Sequence, residues 1–448
     1  MKIMLSGYNV DSDGLTDKSL TPETISAAYA RISRSEKEIP ILRNEARVDV
    51  EKSRKSNETI VFGLGHASIA EHSVFNFDLM QISRAAIEHI QSHRLASYTE
   101  KSQRYVSFDT GYHLPVEIEG DGKAIKAYKS FCGRCFDEYS NAKNYLSKMN
   151  LSKTETNEDA RYFLPLSTNT QCGLTINGRE LEYLISDLRS QDSCELKDIG
   201  DALLKQVEGI APSIIKYTDK RNFLKKSYSS VKHKFPADAV EMLVFSNNQE
   251  AELINTLNFS RNGEKLKHSA RLAENSYERI ASLLLSVNEY DRIPREFEMP
   301  DVKFVVYCSA SCFAQLKRHR MSTIIPQAYS LKEKPYIPES FLNTPLEEKL
   351  NAIAELSMKT DKIIRRQNGG ILQYTALNAS KRAVLVKMNS RELYHFVRLR
   401  SDRHAQLEIR KLSDLIASRA KTKYPLLYGY LCGKDEFKKI KDNSNQSI

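Results

Sequence analysis

The hydrophobic and polar positions of this chain follow the same order twice. Residues 1–13 (MKIMLSGYNVDSD) and 240–250 (VEMLVFSNNQE) each begin with an apolar run that predicts a strand, and each continues into a polar turn. Farther along each half, four residues recur at i, i+4, i+7 and i+11, the spacing of one helical face. They are Ile82, Ala86, His89 and His93 in the first half and Cys308, Cys312, Gln315 and His319 in the second. The recurrence after 226 residues predicts a tandem duplication.

A third pair of matching segments lies downstream, where NGRELEYLISDLRS from Asn177 is similar to NSRELYHFVRLRS from Asn389. In the second copy, one helical arc of about 100° is predicted to hold Leu393, Phe396, Val397, Arg400, His404 and Leu407. An arginine and a histidine inside an apolar stripe need polar partners, because burial of an unpaired charge is costly. The pattern therefore marks Arg400 as a structural ion pair or a functional group.

The chain of 448 residues is long enough for two hydrophobic cores. We place the first repeat at residues 1–225, a basic linker at 226–237, the second repeat at 238–432 and a frayed tail at 433–448. Long helical patterns with a few β-branched runs in each half predict an α+β fold.

Composition narrows the range of partners. The net charge of +10 favours anionic partners such as nucleotide phosphates or folate carboxylates. No run of about 20 apolar residues and no apolar signal-peptide core is present, so we expect a cytoplasmic protein with no membrane partner. Seven scattered cysteines suit a reducing compartment, and we interpret the lone pair Cys132 and Cys135 as buried or incidental rather than as a metal or redox site.

The densest polar cluster of the first half is GHASIAEHSVFNF, followed by ISRAAIEHIQSHRLASYTEKSQRY. Together these segments resemble the flavin-dependent thymidylate synthases, whose signature is Arg-His-Arg, a Ser, and Glu-x-Ser-x-Arg-Tyr after an upstream His-x-Ser-x-x-Glu-His block. The matching residues are His66, Ser68, Glu71, His72, His93, Arg94, Ser97, Glu100, Ser102, Arg104 and Tyr105. Ser92 stands where the family has the first arginine, which is a departure.

The second half shows the opposite pattern of losses. Arg318, His319 and Arg320 restore Arg-His-Arg, and Gln315 stands where the family has a substrate-binding glutamine and the first half has His89. The following loop has instead Pro326, Ala328 and Ser330. The closing segment resembles the family's last helix at Asn389, Arg391, His395, Arg400, His404, Gln406 and Glu408, whereas the first half diverges after Arg189.

The resemblance implies two tandem thymidylate synthase-like α/β domains packed as a pseudo-dimer, with FAD as cofactor and methylenetetrahydrofolate and NADPH as co-substrates. It implies that dUMP is converted to dTMP and that Arg400 is the catalytic residue. The implied substrate-binding residues are Glu100, Lys101, Ser102, Gln103, Arg104, Gln315, Arg318 and Gln373. The implied flavin- or folate-binding residues are His66, Ser68, His93, Arg94, Glu100, Arg318, His319, Arg320, Asn389, Arg391 and His395.

The residue chemistry agrees with these roles. A guanidinium against a uracil ring stabilises negative charge on the ring, which makes C5 a better nucleophile. Ser102 and Arg104 offer donors to a phosphate. His66 and Ser68 precede a helix that we predict to begin near Ala70, where free backbone N–H groups would meet a cofactor. Arg161 matches a family substrate arginine, and its second-half counterpart is Gln373.

The resemblance implies that the active site of this family is assembled from residues of facing subunits. Because the halves keep complementary residues, we expect only one type of composite site to be complete. That site pairs two sets of residues, Glu100, Ser102 and Arg104 from the first half with Gln315, Arg318 and Arg400 from the second. We also expect a homodimer, which would be equivalent to a tetramer of single domains.

Three alternatives stay open at this point. The first is flavin- and folate-dependent methylation or hydroxymethylation of another pyrimidine nucleotide, which the departures at Ser92 and Gln373 keep under consideration. The second is a nucleotide-binding homologue without catalysis. The third is a basic nucleic-acid-binding module, which the scarcity of aromatics among the linker lysines disfavours. We expect no nucleic-acid partner and no metal.

Overall fold

The structure is a computed structural model, and it describes residues 1–17, 20–108, 111–226, 231–245, 248–267, 272, 275–288, 291–365 and 371–445. The chain forms two compact units. Unit 1 contains Met1–Ser227 and Glu355–Leu377, and unit 2 contains Tyr228–Ala354 and Asn378–Ile448. The expected mixture of helices and sheets, an α+β fold, is present in both units.

Unit 1 is built on an antiparallel sheet with strand order β1-β2-β4-β3. The strands are β1 (Lys2–Tyr8), β2 (Val74–Ser83), β3 (Ala96–Glu100) and β4 (Asn169–Asn177). The helices are α1 (Pro22–Ile32), α2 (Ile39–Val48), α3 (Val50–Asn57), α4 (Arg84–Ile90), α5 (Gly122–Leu146), α6 (Lys153–Ala160), α7 (Gly178–Ser190) and α8 (Cys194–Val207). Alternating residues of β2, such as Phe75 and Phe77, pack with Leu181 and Leu184 of α7 in the core.

Unit 2 repeats this sheet with strand order β5-β6-β8-β7. Its strands are β5 (Val240–Phe245), β6 (Asp301–Ser309), β7 (Thr323–Pro326) and β8 (Lys381–Asn389). Its helices are α9 (Gln249–Asn262), α10 (Ser276–Ser286), α11 (Ala310–Leu316), α13 (Ser390–Arg400), α14 (Leu407–Lys423), α15 (Pro425–Tyr428) and α16 (Lys434–Asn445). Helix α12 (Pro345–Ile364) begins in unit 2 and ends in unit 1. Phe304 on β6 and Phe396 on α13 belong to one core, as the equivalent strand and helix do in unit 1.

The compact units differ from the sequence repeats in one segment. Residues Glu355–Leu377 lie within unit 1, although in the sequence they fall inside the second repeat. There the backbone N–H of Ser167 donates to the carbonyl of Tyr374 at 3.1 Å, and that of Leu166 donates to the carbonyl of Ala376 at 2.7 Å. Gln373 is therefore part of unit 1, although its sequence position belongs to the second repeat.

The strands predicted at the start of each repeat are confirmed as β1 and β5. The predicted helical faces upstream of His93 and His319 are wrong in extent. Ile82 and Cys308 lie in strands, and the helices that follow are only seven residues long, so that each histidine lies beyond its helix. Ser83 and Ser309 end the strands and cap these helices with their hydroxyls.

Three further sequence predictions are corrected. The helix predicted near Ala70 is a short 3-10 helix, Ala67–His72, which begins directly after its N-cap His66, contains Ser68 and ends before β2. The closing helix is interrupted after Arg400, so His404 lies outside α13 with its side chain 69% exposed. The predicted tail forms helix α16, whose Phe437 is buried beneath the Arg398 guanidinium at 4.0 Å from the ring centroid.

Cys132 and Cys135 are buried inside α5, as expected for incidental cysteines. Burial raises the pKa of the Cys132 thiol to about 12, so it stays protonated at neutral pH. Among the described residues, no helix combines the length and hydrophobicity needed to cross a bilayer.

Candidate functional site

In unit 2, Arg400 ends α13 within a network of polar side chains. Its Nε donates to His319 Nε2 at 2.9 Å, and its Nη1 donates to Gln315 Oε1 at 3.3 Å. Gln315 Nε2 in turn donates to Gln406 Oε1 at 2.6 Å. Both Gln315 and His319 are buried, so these contacts fix the guanidinium from one side. The structure thus brings together Gln315, His319 and Arg400, which the sequence had assigned to one site.

The network determines the protonation state of His319. A guanidinium has only donors, so Nε2 of His319 must accept from Arg400. Burial lowers the pKa of His319 well below its usual value, and the charge of Arg400 lowers it further. The neutral ring then carries its proton on Nδ1, which lies 3.1 Å from Glu392 Oε1 and donates to it. His319 is therefore a neutral relay that orients Arg400, with Glu392 behind it.

The equivalent network of unit 1 has a residue of opposite charge at its centre. Asp187 on α7 accepts from His89 Nε2 at 2.8 Å and contacts His93 Nε2 at 3.0 Å. His93 Nδ1 also lies 3.1 Å from Glu180 Oε1, just as His319 contacts Glu392. Asp187 thus makes in unit 1 the contacts that Arg400 makes in unit 2.

Arg189, the apparent sequence counterpart of Arg400, lies elsewhere. Its Nε is 2.9 Å from Asp201 Oδ1, and its Nη1 donates to the Thr218 carbonyl at 3.0 Å. The sequence match missed this because the number of residues from the helix cap to the residue that contacts the histidine differs by one between α7 and α13. Asp187 is the tenth residue after Asn177, whereas Arg400 is the eleventh after Asn389.

His93 and His319 consequently differ in charge. Burial opposes protonation of His93, but its hydrogen bonds to Asp187 and Glu180 outweigh burial and raise its pKa. A protonated ring donates from both nitrogens, which satisfies both carboxylates. Burial dominates at His89 and lowers its pKa, so that this ring donates to Asp187 in the neutral form.

Both units share the scaffold beneath these networks. Glu195 at the start of α8 accepts from the Ser83 backbone N–H and hydroxyl, each at 2.7 Å. Glu408 at the start of α14 accepts from the same two groups of Ser309, with the backbone contact at 2.8 Å. The first repeat therefore retains the glutamate of the closing segment as Glu195, although the surrounding sequence has diverged.

A second cluster in unit 1 gathers arginines around the loop after β3. Glu100 is nearly buried and pairs with Arg84 at 2.5 Å, while Arg104 pairs with Glu158. Burial lowers the pKa of Arg161, and the neighbouring charges of Arg84 and Arg104 lower it further. Three guanidiniums thus lie near one another, and carboxylates pair with two of them.

Arg84 was missed by the sequence reasoning. It is the first residue of α4, directly after the strand, and the second repeat has Ala310 at the start of its equivalent helix α11. That difference between the repeats, a cation against an alanine, was the available signal. Elsewhere in the loop, Ser102 accepts from the Arg104 backbone N–H at 3.2 Å, and Lys101 lies over the Phe108 ring at 5.0 Å.

Other predicted residues fall into two groups. The exposed residues of the first group are His66, Ser68, Arg94, Arg318, Arg320 and His395. Asn389 instead caps α13 by accepting from the Glu392 backbone N–H at 2.8 Å. Arg391 pairs with Glu298, and its first-repeat counterpart Arg179 pairs with Glu71 at 2.7 Å, so this pair is a structural feature of both repeats.

In the described part of the chain, one group of three metal-type donors lies within 4.8 Å, formed by Asp402, His404 and Asp435. Arg403 lies 3.6 Å from the Asp435 carboxylate and Lys434 lies 3.9 Å from that of Asp402. These cations already compensate the carboxylates, and we interpret the group as an ion-pair network.

Comparison with known proteins gives a consistent result. The sequence profile of the family described as "Thymidylate synthase complementing protein" matches residues 14–213 and again 241–426. The UPF0159 protein Ta1429 of Thermoplasma acidophilum is 24% identical, with 90% of this chain and 94% of that protein aligned. A flavin-dependent thymidylate synthase of Sulfolobus acidocaldarius is 34% identical over 48% of this chain and 76% of its own length.

A crystal structure described as the flavin-dependent thymidylate synthase ThyX of Helicobacter pylori, complexed with FAD and dUMP, aligns along its whole length with 49% of this chain. Its TM-score is 0.34 at 19% identity.

Proposed function

We propose that this chain, which belongs to the thymidylate synthase complementing protein family, is a transferase that adds a one-carbon unit from methylenetetrahydrofolate to C5 of dUMP, with FAD as cofactor and NADPH as reductant. Relatives that are flavin-dependent thymidylate synthases support the coarse activity. The choice of dUMP, folate and NADPH belongs to the proposal.

The observation that carries the proposal is the Arg400 network. The Arg400 guanidinium is held by neutral His319 and by Gln315, and neither of these two side chains is an anion. A guanidinium held in a fixed position in a partly dry site stabilises negative charge that develops on a bound ring. On a uracil ring this charge forms at the carbonyl oxygens and N3 when C5 acts as a nucleophile, so Arg400 is the group that would activate the pyrimidine.

Binding of the nucleotide phosphate is assigned to unit 1. Arg84, Arg104 and Arg161 supply the cations, and Ser102 adds a hydroxyl donor. Glu100 and Glu158 hold two of these guanidiniums in place. Turnover therefore depends on residues of both units, Arg104 and its neighbours in one and Arg400 in the other.

The residues present fit a flavin nucleotide by the chemistry of their donors. His66, Ser68, Arg94, Arg318 and Arg320 are exposed donors of the kind that hold phosphates and ring carbonyls. When bound, FAD supplies the redox chemistry and one-carbon transfer that amino-acid side chains lack. Buried His93 and His319 orient neighbouring side chains rather than offer a free face to the cofactor.

The test is a visible absorption spectrum of the purified protein, followed by release of tritium from C5-labelled dUMP with methylenetetrahydrofolate and NADPH. A flavin spectrum and tritium release are expected. A flavoprotein without release would point to another pyrimidine acceptor. A protein that cannot be loaded with FAD would contradict the enzyme assignment.

A further inference from the structure

A groove in unit 1 bounded by α1, α2 and α3 has a strong excess of positive charge. Its cations are Arg31, Arg34, Lys37, Lys52 and Lys55, and its one carboxylate is Glu45. The groove is open to solvent and has a volume of about 540 Å³, within the range of small-molecule sites. None of these residues belongs to the networks around Asp187 or Glu100.

Most of this charge is uncompensated. Glu45 pairs with Lys37, and Arg31 donates to the neutral Ser53 hydroxyl at 3.2 Å. Over the residues that the structure describes, the side chains of Arg34, Lys52 and Lys55 have no hydrogen bond or ion pair. The Lys37 hydrogen bond lowers the pKa of Glu45, and the charges of Arg31 and Lys52 lower it further. The positive charges of these three side chains therefore act on the same carboxylate.

The second repeat neutralises the equivalent position. Glu23 of α1 accepts from the Ser213 backbone N–H at 2.7 Å, and Glu250 of α9 accepts from that of Leu426 at 2.8 Å. We therefore treat these two glutamates as equivalent positions of the two repeats. Arg34 and Arg261 each lie eleven residues after these glutamates. Arg261 pairs with Glu296 at 3.0 Å. Of these two equivalent arginines, only Arg34 of unit 1 has no ion pair within the described residues.

The groove also combines its charge with an apolar floor. Ala30 and Leu42 are buried at its base, and Ile60 lines one wall. Ile60 lies in a π-helical turn, Glu58–Gly63, and its carbonyl accepts from the His66 backbone N–H at 3.0 Å. Such turns are often found at functional sites. The wall of the groove is thus hydrogen-bonded directly to a segment assigned to cofactor binding.

We infer that this groove binds the anionic end of a small molecule that carries two or more closely spaced negative charges, either an oligophosphate or an oligocarboxylate. Several cations around one cavity focus a positive potential that a single counter-ion cannot neutralise. The apolar floor gives the adjoining uncharged part of the ligand a surface to contact. This site is additional to the proposed active site and does not depend on its activity.

The test is isothermal titration of the full chain with tripolyphosphate and, separately, with tri-γ-glutamate, at low salt and with excess FAD and dUMP present. The variant is Lys52→Gln with Lys55→Gln. The matched control is Lys126→Gln with Lys129→Gln, two exposed lysines at the same spacing on α5. We expect binding of at least one ligand to weaken about tenfold in the first variant and to stay unchanged in the control.

The arms of the experiment separate the sources of charge. Binding of tripolyphosphate alone identifies an oligophosphate, and binding of tri-γ-glutamate alone identifies an oligocarboxylate. The proposal is overturned if neither ligand binds the unmodified chain, or if both double variants weaken binding equally, since this would show attraction to net charge. Because binding is read without turnover, failure here is distinguishable from failure of the proposed enzyme function.

Discussion

Arg400 is the residue on which the proposed chemistry depends most directly. We expect Arg400→Ala to lower kcat by roughly 100-fold, because about 3 kcal/mol of stabilisation of developing charge is lost. Arg400→Lys should also fail, since one ammonium cannot donate to His319 and Gln315 in the same fork-like geometry. Steady-state kinetics and circular dichroism of each variant measure activity and folding.

The control for Arg400 is Arg189→Ala, which removes an arginine at the end of the equivalent helix in unit 1. Arg189 contacts Asp201 and Thr218, both outside the Asp187 network, so little change in kcat is expected. Equal loss of activity in the two variants would contradict the role assigned to Arg400.

His93 and His319 should give stability opposite dependences on pH. The pKa of His93 is raised above its ordinary value of 6.5, so its contribution to stability is full below that pH and is lost as pH rises through the folded value. The pKa of His319 is lowered, so the unfolded chain binds its proton first and stability is lost as pH falls below 6.5.

Urea unfolding of His93→Gln, His319→Gln and the unmodified chain between about pH 5 and about pH 8 measures this difference. The stability advantage of the unmodified chain over His93→Gln should shrink as pH rises, and its advantage over His319→Gln should shrink as pH falls. Parallel curves for the two variants would show that the histidines do not differ in charge.

The chemical types at these positions were readable from the sequence, but their partners were not. Gln315, His319 and Arg400 were assigned to one site from their resemblance to a family, and the structure brings them into contact. Asp187 escaped notice because a shift of one residue relative to the cap moved it into the place of Arg400. Only tertiary contacts decide which helical position faces a histidine on another element.

At the scale of elements, the junction between β2 and α4 sets the geometry of the predicted phosphate site. Ser83 ends the strand and caps the helix, and Arg84 follows at the first helical position, where it reaches Glu100. We expect Arg84→Gln to raise the KM for dUMP about tenfold with a smaller change in kcat, because a phosphate contact and a buried ion-pair partner are lost.

Arg134→Gln is the matched control for that prediction, since Arg134 is exposed on α5. Steady-state kinetics on both variants should show a change in KM for Arg84 alone. A fall in kcat without a change in KM would assign Arg84 to the chemical step, and unchanged kinetics would remove it from the site.

Element boundaries were the least predictable feature of the fold. A helical spacing of four residues was present from Ile82 to His93, yet the first of these residues belongs to a strand, because the buried face of β2 continues the apolar pattern. The same ambiguity extended α13 past Arg400 to His404. Helix α16 was missed because its sequence is mostly charged, and it packs against the core through Phe437 and Ile440.

For the whole molecule, the duplication was predictable because it repeats spaced motifs in order, and the family match covers both repeats. The assignment of Glu355–Leu377 to unit 1 was not, since the sequence of that segment continues the second repeat without a break. Which unit a segment packs in depends on hydrogen bonds such as that from Ser167 to Tyr374, and no local pattern encodes them.

We expect the chain to be a homodimer, because the resemblance implies facing domains and two copies related by a twofold axis close such an assembly. Multi-angle light scattering of the FAD-loaded protein gives its mass directly against the 51.2 kDa of one chain. A stable, active monomer would contradict this expectation.

The number of nucleotides bound per chain tests whether one repeat binds the phosphate and the other activates the pyrimidine. Unit 1 has Asp187 where unit 2 has Arg400, and a carboxylate there repels an anionic pyrimidine edge instead of stabilising it. The second repeat has Pro326, Ala328 and Ser330 in place of Glu100, Ser102 and Arg104, so the guanidinium of Arg104 has no equivalent at that position. Calorimetric titration of the FAD-loaded protein with dUMP should therefore give one site per chain. Two equivalent sites per chain would mean that each repeat binds nucleotide independently, and the dependence of turnover on both units would then be wrong.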